Sequence, residues 1–372
     1  MKKIEHEWLF AILIFTPLIF AAYFFFYGRV WSLKSSYNVV PTSRYSSKEI
    51  YLGATQHWIR SVNNQSINPH LLVLVLNKDK YSWGQDERNS SFRTFWSFIS
   101  TIKSSRFPSS KMSLGLLTSS TEEYHKYRKI LEVLSTDDEE LFVRVHLIYH
   151  PGYGDQTHDI NLDIDRQEHH EETVQKERRR LLARLRNYLM LSSLRSEDHI
   201  IWLDADVYFS SDQLLQMLIE KSADSKQTQD LPVGLLTVRC ALQRDPHSNY
   251  DLNAWSGSRQ APTAKQLELI RKGGSFTGRP TKDTKMLDTL LKGTSNETII
   301  KLDSVGGTIL YIKADLVRQG LVFPPYYVVG TEWNMSEGWD GIETEGLCYI
   351  AKNLGYGCYA LGGDWVVTHT NY

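Results

Sequence analysis

Two aspartates end an apolar stretch of strand length near the middle of the chain. The run from Ile200 to Val207 reads IIWLDADV and places Asp204 and Asp206 two residues apart. A continuous apolar run is typical of a strand buried on both faces of a parallel sheet, and ligands bind beyond the carboxyl ends of such strands. Paired carboxylates there favour a divalent cation such as Mg²⁺ or Mn²⁺, which can hold a diphosphate. The alternative is a solvated turn or a helix cap.

A histidine near the end of the sequence is the third candidate ligand. His369 follows the short apolar segment Trp365–Thr368. A neutral imidazole can complete a metal site with two carboxylates, and it would favour Mn²⁺ over Mg²⁺. The competing interpretation is a structural or disordered terminal histidine.

Paired glycines form a further candidate binding feature. Gly306 and Gly307 lie in the sequence SVGGT, directly before a predicted strand. Residues without a side chain let the backbone approach a ligand closely, which makes them candidates for cofactor binding. A tight turn explains the same pair equally well.

Three carboxylates near the end of the chain are candidate catalytic residues. Glu343 and Glu345 open a predicted helix, and Asp364 follows a second glycine pair. A glutamate at a helix start is also favoured by the helix dipole alone. Two carboxylates two residues apart point in different directions, so we expect at most one of Glu343 and Glu345 to face a site.

An arginine cluster lies on the predicted helix that precedes the aspartate pair. Among the arginines between positions 178 and 186 we select Arg178, Arg180 and Arg184 as candidate ligand-binding residues. An arginine here could reach a diphosphate or hold Asp204 in place. The alternative is a solvated helix face that forms salt bridges with neighbouring glutamates.

Alternating strand and helix patterns must position these residues. Apolar runs predict strands at 71–76, 111–118, 141–149, 200–203, 233–238, 306–314, 356–360 and 365–368. Helical periodicity or helix-start signals fall at 91–102, 121–134, 171–194, 210–221 and 343–354. A β-α-β-α-β order is typical of a parallel sheet with helices on both faces, so the fold class is α/β.

Composition narrows the class of protein. The formal net charge is -1, which gives no overall field for binding nucleic acid. The three cysteines, Cys240, Cys348 and Cys358, show no zinc-ligand spacing. They allow at most one intramolecular disulfide, and buried free thiols are the alternative.

The N-terminus predicts a membrane anchor. Residues 8–27 are apolar over the length of a bilayer-spanning helix, and no small-residue cleavage site follows them. We therefore expect an uncleaved signal-anchor behind a cytoplasmic tail at 1–7, then a stem at 28–67 and a lumenal domain at 68–372. A short helix at 47–62 is expected within the stem. A cleaved signal peptide is the alternative.

Six ordered sequence blocks resemble the fungal mannan polymerase subunits, glycosyltransferase family 62. The similarity runs from about residue 70 to the end of the chain. The blocks are HPGY from His150, ERRRLLARLRNYLM from Glu177, IIWLDADV from Ile200, YDLNAW from Tyr250, VGGTILYIKADLVRQGLVFPP from Val305 and GIETEGLCYIAKNLGYGCYAL from Gly341, followed by WVVTH.

This resemblance implies a fold and an activity. The fold would be of the GT-A type, a Rossmann-like central sheet that binds a nucleotide sugar. The activity would be retaining transfer of mannose from GDP-mannose to an α-mannoside acceptor, with Mn²⁺ held by Asp204, Asp206 and His369. One carboxylate among Glu343, Glu345 and Asp364 would bind acceptor hydroxyls or stabilise an oxocarbenium-like centre.

The resemblance also implies a place in the cell. These are type II Golgi membrane proteins that form hetero-oligomeric complexes and build the α-1,6-mannan backbone of N-glycans. Two other functions fit the same blocks. The chain could be a non-catalytic scaffold subunit of such a complex, or it could use another nucleotide sugar.

Overall fold

A ten-stranded mixed sheet forms the centre of the protein. The computed structural model describes residues 45–63, 69–86, 90–134, 141–152, 172–209, 211–223, 231–272, 283–331 and 337–370. Residues from Tyr45 onward form one compact unit. The central sheet lies in this unit and includes the strand that ends at Asp204.

The strands and helices follow the alternating pattern of the sequence. The strands are β1 (Tyr45–Leu52), β2 (Thr55–Val62), β3 (Leu71–Asn77), β4 (Gln85–Asp86), β5 (Ser91–Phe92), β6 (Met112–Thr118), β7 (Arg144–Tyr149), β8 (His199–Asp204), β9 (Val207–Phe209), β10 (Val233–Thr237), β11 (Arg239–Leu242), β12 (Trp255–Ser256), β13 (Lys285–Met286), β14 (Ile299–Leu302), β15 (Ile309–Lys313), β16 (Gly357–Leu361) and β17 (Val366–His369). The helices are α1 (Phe95–Ser104), α2 (Thr121–Val133), α3 (Glu172–Ser193), α4 (Leu214–Ala223), α5 (Ala264–Arg271), α6 (Leu287–Leu290), α7 (Ala314–Arg318) and α8 (Thr344–Asn353). The expectation of an α/β fold is confirmed, but the sheet is mixed and not parallel throughout, since strands such as β15 pair antiparallel with their neighbours.

The order of strands brings several carboxyl ends to one edge of the sheet. The order is β1-β2-β7-β6-β3-β8-β15-β10-β16-β14. Strands β7, β6, β3 and β8 are mutually parallel, and β10 and β16 form a second parallel pair with the same direction because β15 is antiparallel to both β8 and β10. We call the edge where these strands end the carboxyl edge.

Helices cover both faces of the sheet. One apolar core packs α1, α2 and α4 against it through side chains such as Phe98, Tyr127 and Leu218. The other packs α3, α7 and α8 through Leu185, Leu316 and others. Burial on both faces explains why the inner strands are continuous apolar runs.

A small three-stranded sheet continues the carboxyl edge. Its order is β11-β17-β9, with β17 parallel to β11 and antiparallel to β9. The last strand of the described chain therefore lies between two earlier ones, and it pairs with the segment that directly follows Asp206.

The described part of the predicted stem belongs to the large sheet. Residues 45–62 form the hairpin β1–β2, with Gly53 at φ 60° in the turn, and β2 pairs with β7. The short helix predicted at 47–62 is therefore wrong. Strand β1 lies at the sheet edge and is mostly exposed, so its sequence is polar and lacks the apolar pattern of the inner strands.

The fold resolves how the three cysteines pair. Cys348 of α8 and Cys358 of β16 form a disulfide, and Cys240 is a buried free thiol.

Among the residues that the structure describes, no helix is long and apolar enough to cross a bilayer. The predicted anchor at 8–27 falls on residues that are not described.

Candidate functional site

The two aspartates lie in a tight turn at the carboxyl edge. The amide of Asp204 donates at 3.0 Å to the carbonyl of Thr308, which directly precedes the neighbouring strand β15. The carbonyl of Asp206 accepts from the amide and from the hydroxyl of Thr370, each at 3.0 Å. A Cβ atom on Gly84 would lie 1.8 Å from Oγ1 of Thr370 and 2.9 Å from Cβ of Asp206. A glycine at that position therefore lets the segment after β3 pack directly on this turn.

Strand pairing brings His369 to the second aspartate. His369 lies opposite Val207 in the small sheet, and its Nε2 atom is 2.9 Å from Oδ2 of Asp206. The ring of Tyr250 packs on the imidazole, with ring centroids 4.1 Å apart. Burial alone would lower the pKa of His369, but the hydrogen bond and charge of Asp206, together with the charge of Asp204, raise it above its usual value.

A buried arginine holds the first aspartate. Arg186 of α3 places NH2 3.2 Å from Oδ1 of Asp204 and Nε 3.0 Å from Oε1 of Glu343. Its guanidinium carbon lies 5.2 Å from the ring centroid of Trp202 and 5.4 Å from that of Phe323. Burial raises the pKa of Asp204, the Arg186 charge opposes this rise, and Asp206 adds to it. The guanidinium of Arg186 therefore pairs with both Asp204 and Glu343, whose negative charges would otherwise repel each other.

Glu343 has an unusual backbone conformation. It is buried, with φ 56° and ψ -125°, a conformation that L residues other than glycine rarely adopt. Its amide donates to the carbonyl of Pro324 at 2.9 Å. Strain of this kind costs on the order of 1–3 kcal/mol and is concentrated at functional sites. Of the two glutamates at the start of α8, Glu343 is the one that shares Arg186 with Asp204.

The glycine pair separates two charged side chains. A Cβ atom on Gly306 would lie 2.0 Å from Oδ2 of Asp251, and one on Gly307 would lie 3.0 Å from NH2 of Arg186. Asp251 accepts from the amide of Thr308 at 3.2 Å and from its hydroxyl at 2.8 Å. The glycines therefore leave room for Asp251 on one side and for Arg186 on the other.

The other predicted carboxylates lie apart from the aspartate pair. Glu345 Oε1 is 2.7 Å from NH1 of Arg179, and burial raises the pKa of Glu345 against the opposing effect of Arg179. Asp364 is exposed after β16, three strands from β8 in the sheet, and its amide donates to the side chain of Asn296 at 2.7 Å. Their predicted catalytic roles stay predictions.

The three arginines selected from the sequence do not include the one that contacts Asp204. Arg178 and Arg184 are exposed. Arg180 bonds to Glu177 and to Glu337, each at 2.7 Å. Their ligand binding stays a prediction, while Arg186, in the same cluster, is the arginine that contacts Asp204. Sequence reasoning also passed over Asp251, although the block YDLNAW contains it.

The separation of Asp206 from His369 fits a divalent cation. Neighbouring ligands of a six-coordinate ion with bonds of about 2.1 Å lie about 3 Å apart, close to the 2.9 Å between Oδ2 and Nε2. In the described residues, no group of three or more His, Cys, Asp or Glu side chains is arranged to hold a metal. Asp206 and His369 lie at hydrogen-bond distance and Asp204 bonds to Arg186, so the metal role of the three residues stays a prediction.

The fold and the site define a mixed α/β protein with a cation-compatible acidic site at the carboxyl edge of its sheet. The chain belongs to the Anp1 family, whose sequence profile matches residues 54–327. The resemblance to the fungal mannan polymerase subunits is confirmed.

Two relatives illustrate the match. The chain is 30% identical over 281 residues to the mannan polymerase complex subunit mnn9 of Schizosaccharomyces pombe, which covers 71% of this chain and 73% of that one. It is 31% identical over 205 residues to the MNN9 subunit of Candida albicans, which covers 53% of this chain and 51% of that one. Among solved structures, TarS of S. aureus matches with a TM-score of 0.36 and 11% identity, over 81% of this chain and 37% of that one. A TM-score this low establishes no shared fold.

Proposed function

We propose that this chain is a mannosyltransferase of a mannan polymerase complex. It transfers mannose from GDP-mannose to an α-mannoside acceptor with retention and contributes to the α-1,6-mannan backbone of N-glycans. Family membership and the names of two mnn9 relatives support the complex and its product. A GT-A type sheet, with the donor at its carboxyl edge, accommodates this reaction.

The contact between Asp206 and His369 is the observation that carries the proposal. Two residues 163 positions apart in the sequence, one acidic and one imidazole, meet at the edge where α/β sheets bind ligands. Carboxylate oxygen and imidazole nitrogen are a suitable donor set for Mn²⁺. When bound, Mn²⁺ would offset the negative charge of the GDP leaving group.

The surrounding side chains have distinct roles in this mechanism. Arg186 fixes the carboxylate of Asp204 through its NH2 atom, so Asp204 is oriented toward the donor without direct contact with His369. Glu343 is fixed by the same guanidinium and supplies negative charge near a developing oxocarbenium-like centre. Gly306 and Gly307 keep the wall between Asp251 and Arg186 thin enough for close approach by the donor.

The cellular location is part of the same proposal. We place residues 8–27 across the Golgi membrane, 1–7 in the cytoplasm and the domain from Tyr45 onward in the lumen. The disulfide between Cys348 and Cys358 suits an oxidising compartment. Protease added to sealed Golgi vesicles should spare the domain, and digestion without detergent would contradict this orientation.

A matched pair of variants tests the activity. The purified full chain is assayed with Mn²⁺ and mannobiose against a panel of nucleotide sugars. Asp206→Asn should abolish mannose transfer from GDP-mannose. Asp315→Asn should keep it, because Asp315 is an exposed carboxylate at the start of α7, at the opposite edge of the sheet. Equal activity of both variants would refute the site, and a preference for another nucleotide sugar would refute the donor.

A non-catalytic subunit is the second candidate function. The relatives' names describe subunits of a complex and not a reaction. In that case the reconstituted complex would show the same activity with wild-type chain and with the Asp206→Asn variant.

A further inference from the structure

A polar cavity lies directly beyond the turn that holds Asp206. Its volume is about 450 Å³, within the usual range for small-molecule sites. Thr370 lines it, and this residue follows His369 and bonds to the carbonyl of Asp206. Tyr208 and Phe209 of β9 and one face of α1, from Ser97 to Ser104, form other parts of the wall. The cavity therefore adjoins the proposed reaction centre on the side of α1.

Small hydroxyl side chains keep this cavity open. Ser97, Ser100 and Ser104 lie at helical spacing on one face of α1, while Phe98 and Ile102 of the same helix are buried in the core. A solvated helix face commonly carries long charged residues, whereas these three positions carry only a single oxygen each. The face of α1 toward the cavity is thus short and polar.

The hydrogen bonds of these hydroxyls determine what they can offer a ligand. Ser100 donates to the carbonyl of Trp96 at 2.9 Å and Ser104 to that of Thr101 at 2.8 Å. Thr370 donates to the carbonyl of Asp206 at 3.0 Å. Since the hydroxyl protons of Ser100, Ser104 and Thr370 are directed to backbone carbonyls, these three oxygens can accept hydrogen bonds from a ligand. Such a wall matches a ligand rich in hydroxyl donors and disfavours a phosphate.

Charged and aromatic groups at the rim agree with a neutral polyol. Among the described lining residues the charged ones are Asp86 and Arg93, one of each sign. Asp86 accepts from Gln243 at 2.9 Å, and Arg93 donates to the carbonyl of Val207 at 3.1 Å. Phe92, with 53% of its surface exposed, lines this cavity and an adjacent one of about 370 Å³. An exposed ring beside hydroxyl groups suits the apolar face of a sugar.

We propose that the cavity between α1, Tyr208 and Thr370 binds an oligosaccharide, which it holds next to Asp206 as the acceptor. This inference rests on the proposed function for the word acceptor, while the binding of a neutral oligosaccharide rests on the cavity itself. The ligand class is a neutral oligosaccharide, and α-linked mannotriose is the probe that the proposed function selects.

A direct binding measurement tests the site independently of turnover. The full chain is titrated with α-linked mannotriose by saturation-transfer NMR, and inorganic phosphate serves as the comparison ligand. Ser100→Trp fills the cavity from an exposed position of α1 and should weaken mannotriose binding by about tenfold or more. Gln216→Trp, on the exposed face of α4, is the matched control and should keep wild-type affinity.

Two further variants keep the result decisive. Phe92→Ala removes an exposed ring and should lower affinity even if Ser100→Trp fails to fold. Asp315→Asn, an exposed carboxylate at the opposite edge of the sheet, should bind mannotriose as the wild type does. Absence of saturable wild-type binding, displacement by phosphate, or unchanged affinity in both cavity variants would overturn the inference.

The outcomes also separate this inference from the proposed function. Loss of mannotriose binding in Ser100→Trp without any transfer by the wild type would support the cavity and refute the enzyme. Transfer by the wild type with an unchanged acceptor KM in Ser100→Trp would support the enzyme and refute the cavity.

Discussion

Buried histidines occur in two regions of the protein with opposite electrostatics. At the carboxyl edge, His369 faces Asp206, and its pKa is raised despite burial. Between β2 and β7, His57 and His146 face each other with Nε2 and Nδ1 3.0 Å apart. Burial, with smaller effects of Arg195 and Lys48, lowers the pKa of His57 to about 4.

The partner of each histidine explains the difference. A carboxylate stabilises the imidazolium ion, whereas a second imidazole in an apolar interior accommodates only neutral rings. Burial and the neighbouring His57 lower the pKa of His146 to about 2. The comparison indicates that burial keeps the rings of the histidine pair neutral, while the carboxylate of Asp206 favours the protonated form of His369. Four measurements can break or sharpen this contrast.

The largest effect is expected for His369→Ala. Loss of one ligand from a hydrated Mn²⁺ site should reduce GDP-mannose turnover roughly 10²- to 10³-fold and raise the Mn²⁺ concentration needed for half-saturation. Because His369 is buried and pairs with Asp206, the melting temperature should also fall. Mn²⁺ titrations of the wild type, His369→Ala and the exposed-site control His247→Ala measure this. An unchanged rate and half-saturation would make His369 structural.

Removal of the Arg186 guanidinium, which lies between Asp204 and Glu343, should destabilise the domain. Arg186→Met leaves the buried Glu343 without its ion pair, which should lower the free energy of unfolding by about 3 kcal/mol. Arg186→Lys retains the charge and should lose less. Chemical denaturation of the three proteins compares them, and equal midpoints would show that the pair is not needed for stability.

The histidine pair should make the domain acid-sensitive. Both folded-state pKa values lie below the usual 6.5, so the unfolded chain binds protons first and stability falls as the pH drops below 6.5. From pH 7.5 to 5, the loss is about 2 kcal/mol for each histidine. His57→Gln should remove about half of this pH dependence. Denaturation curves across that range, with exposed His247→Gln as the control, test it, and an unchanged slope in His57→Gln would contradict the assignment.

The smallest effect is expected for Arg178→Ala. Arg178 is exposed on α3, so its loss should change the free energy of unfolding by less than about 0.5 kcal/mol. Donor KM should be close to that of the wild type. A steep rise in donor KM would instead support the ligand-binding role predicted from the sequence. It would place the donor nearer the N-terminus of α3 than Arg186.

The inner strands could be predicted from sequence because burial on both faces leaves a continuous apolar run. Leu71–Asn77 and His199–Asp204 have this character, and both were expected within one or two residues. The hairpin β1–β2 could not be predicted in the same way. Its first strand is an exposed edge, and its second buries His57 and Arg60, which are polar.

The site shows a similar division. Asp204 and Asp206 could be selected because they end an apolar strand. Arg186, the residue of α3 that contacts Asp204, could not be selected in this way. Several arginines occur on that helix, and only its packing against β8 decides which one reaches Asp204. The meeting of His369 with Asp206 depends on the pairing of β17 with β9, a contact between distant parts of the chain.

The place of β17 separates the imidazole from the large sheet. Val366–His369 lies between β11 and β9 in the small sheet. The ten strands of the large sheet all precede β17 in the sequence, and none of them pairs with it. A translation product that stops before Val366 would therefore keep every strand of the large sheet and lack the imidazole.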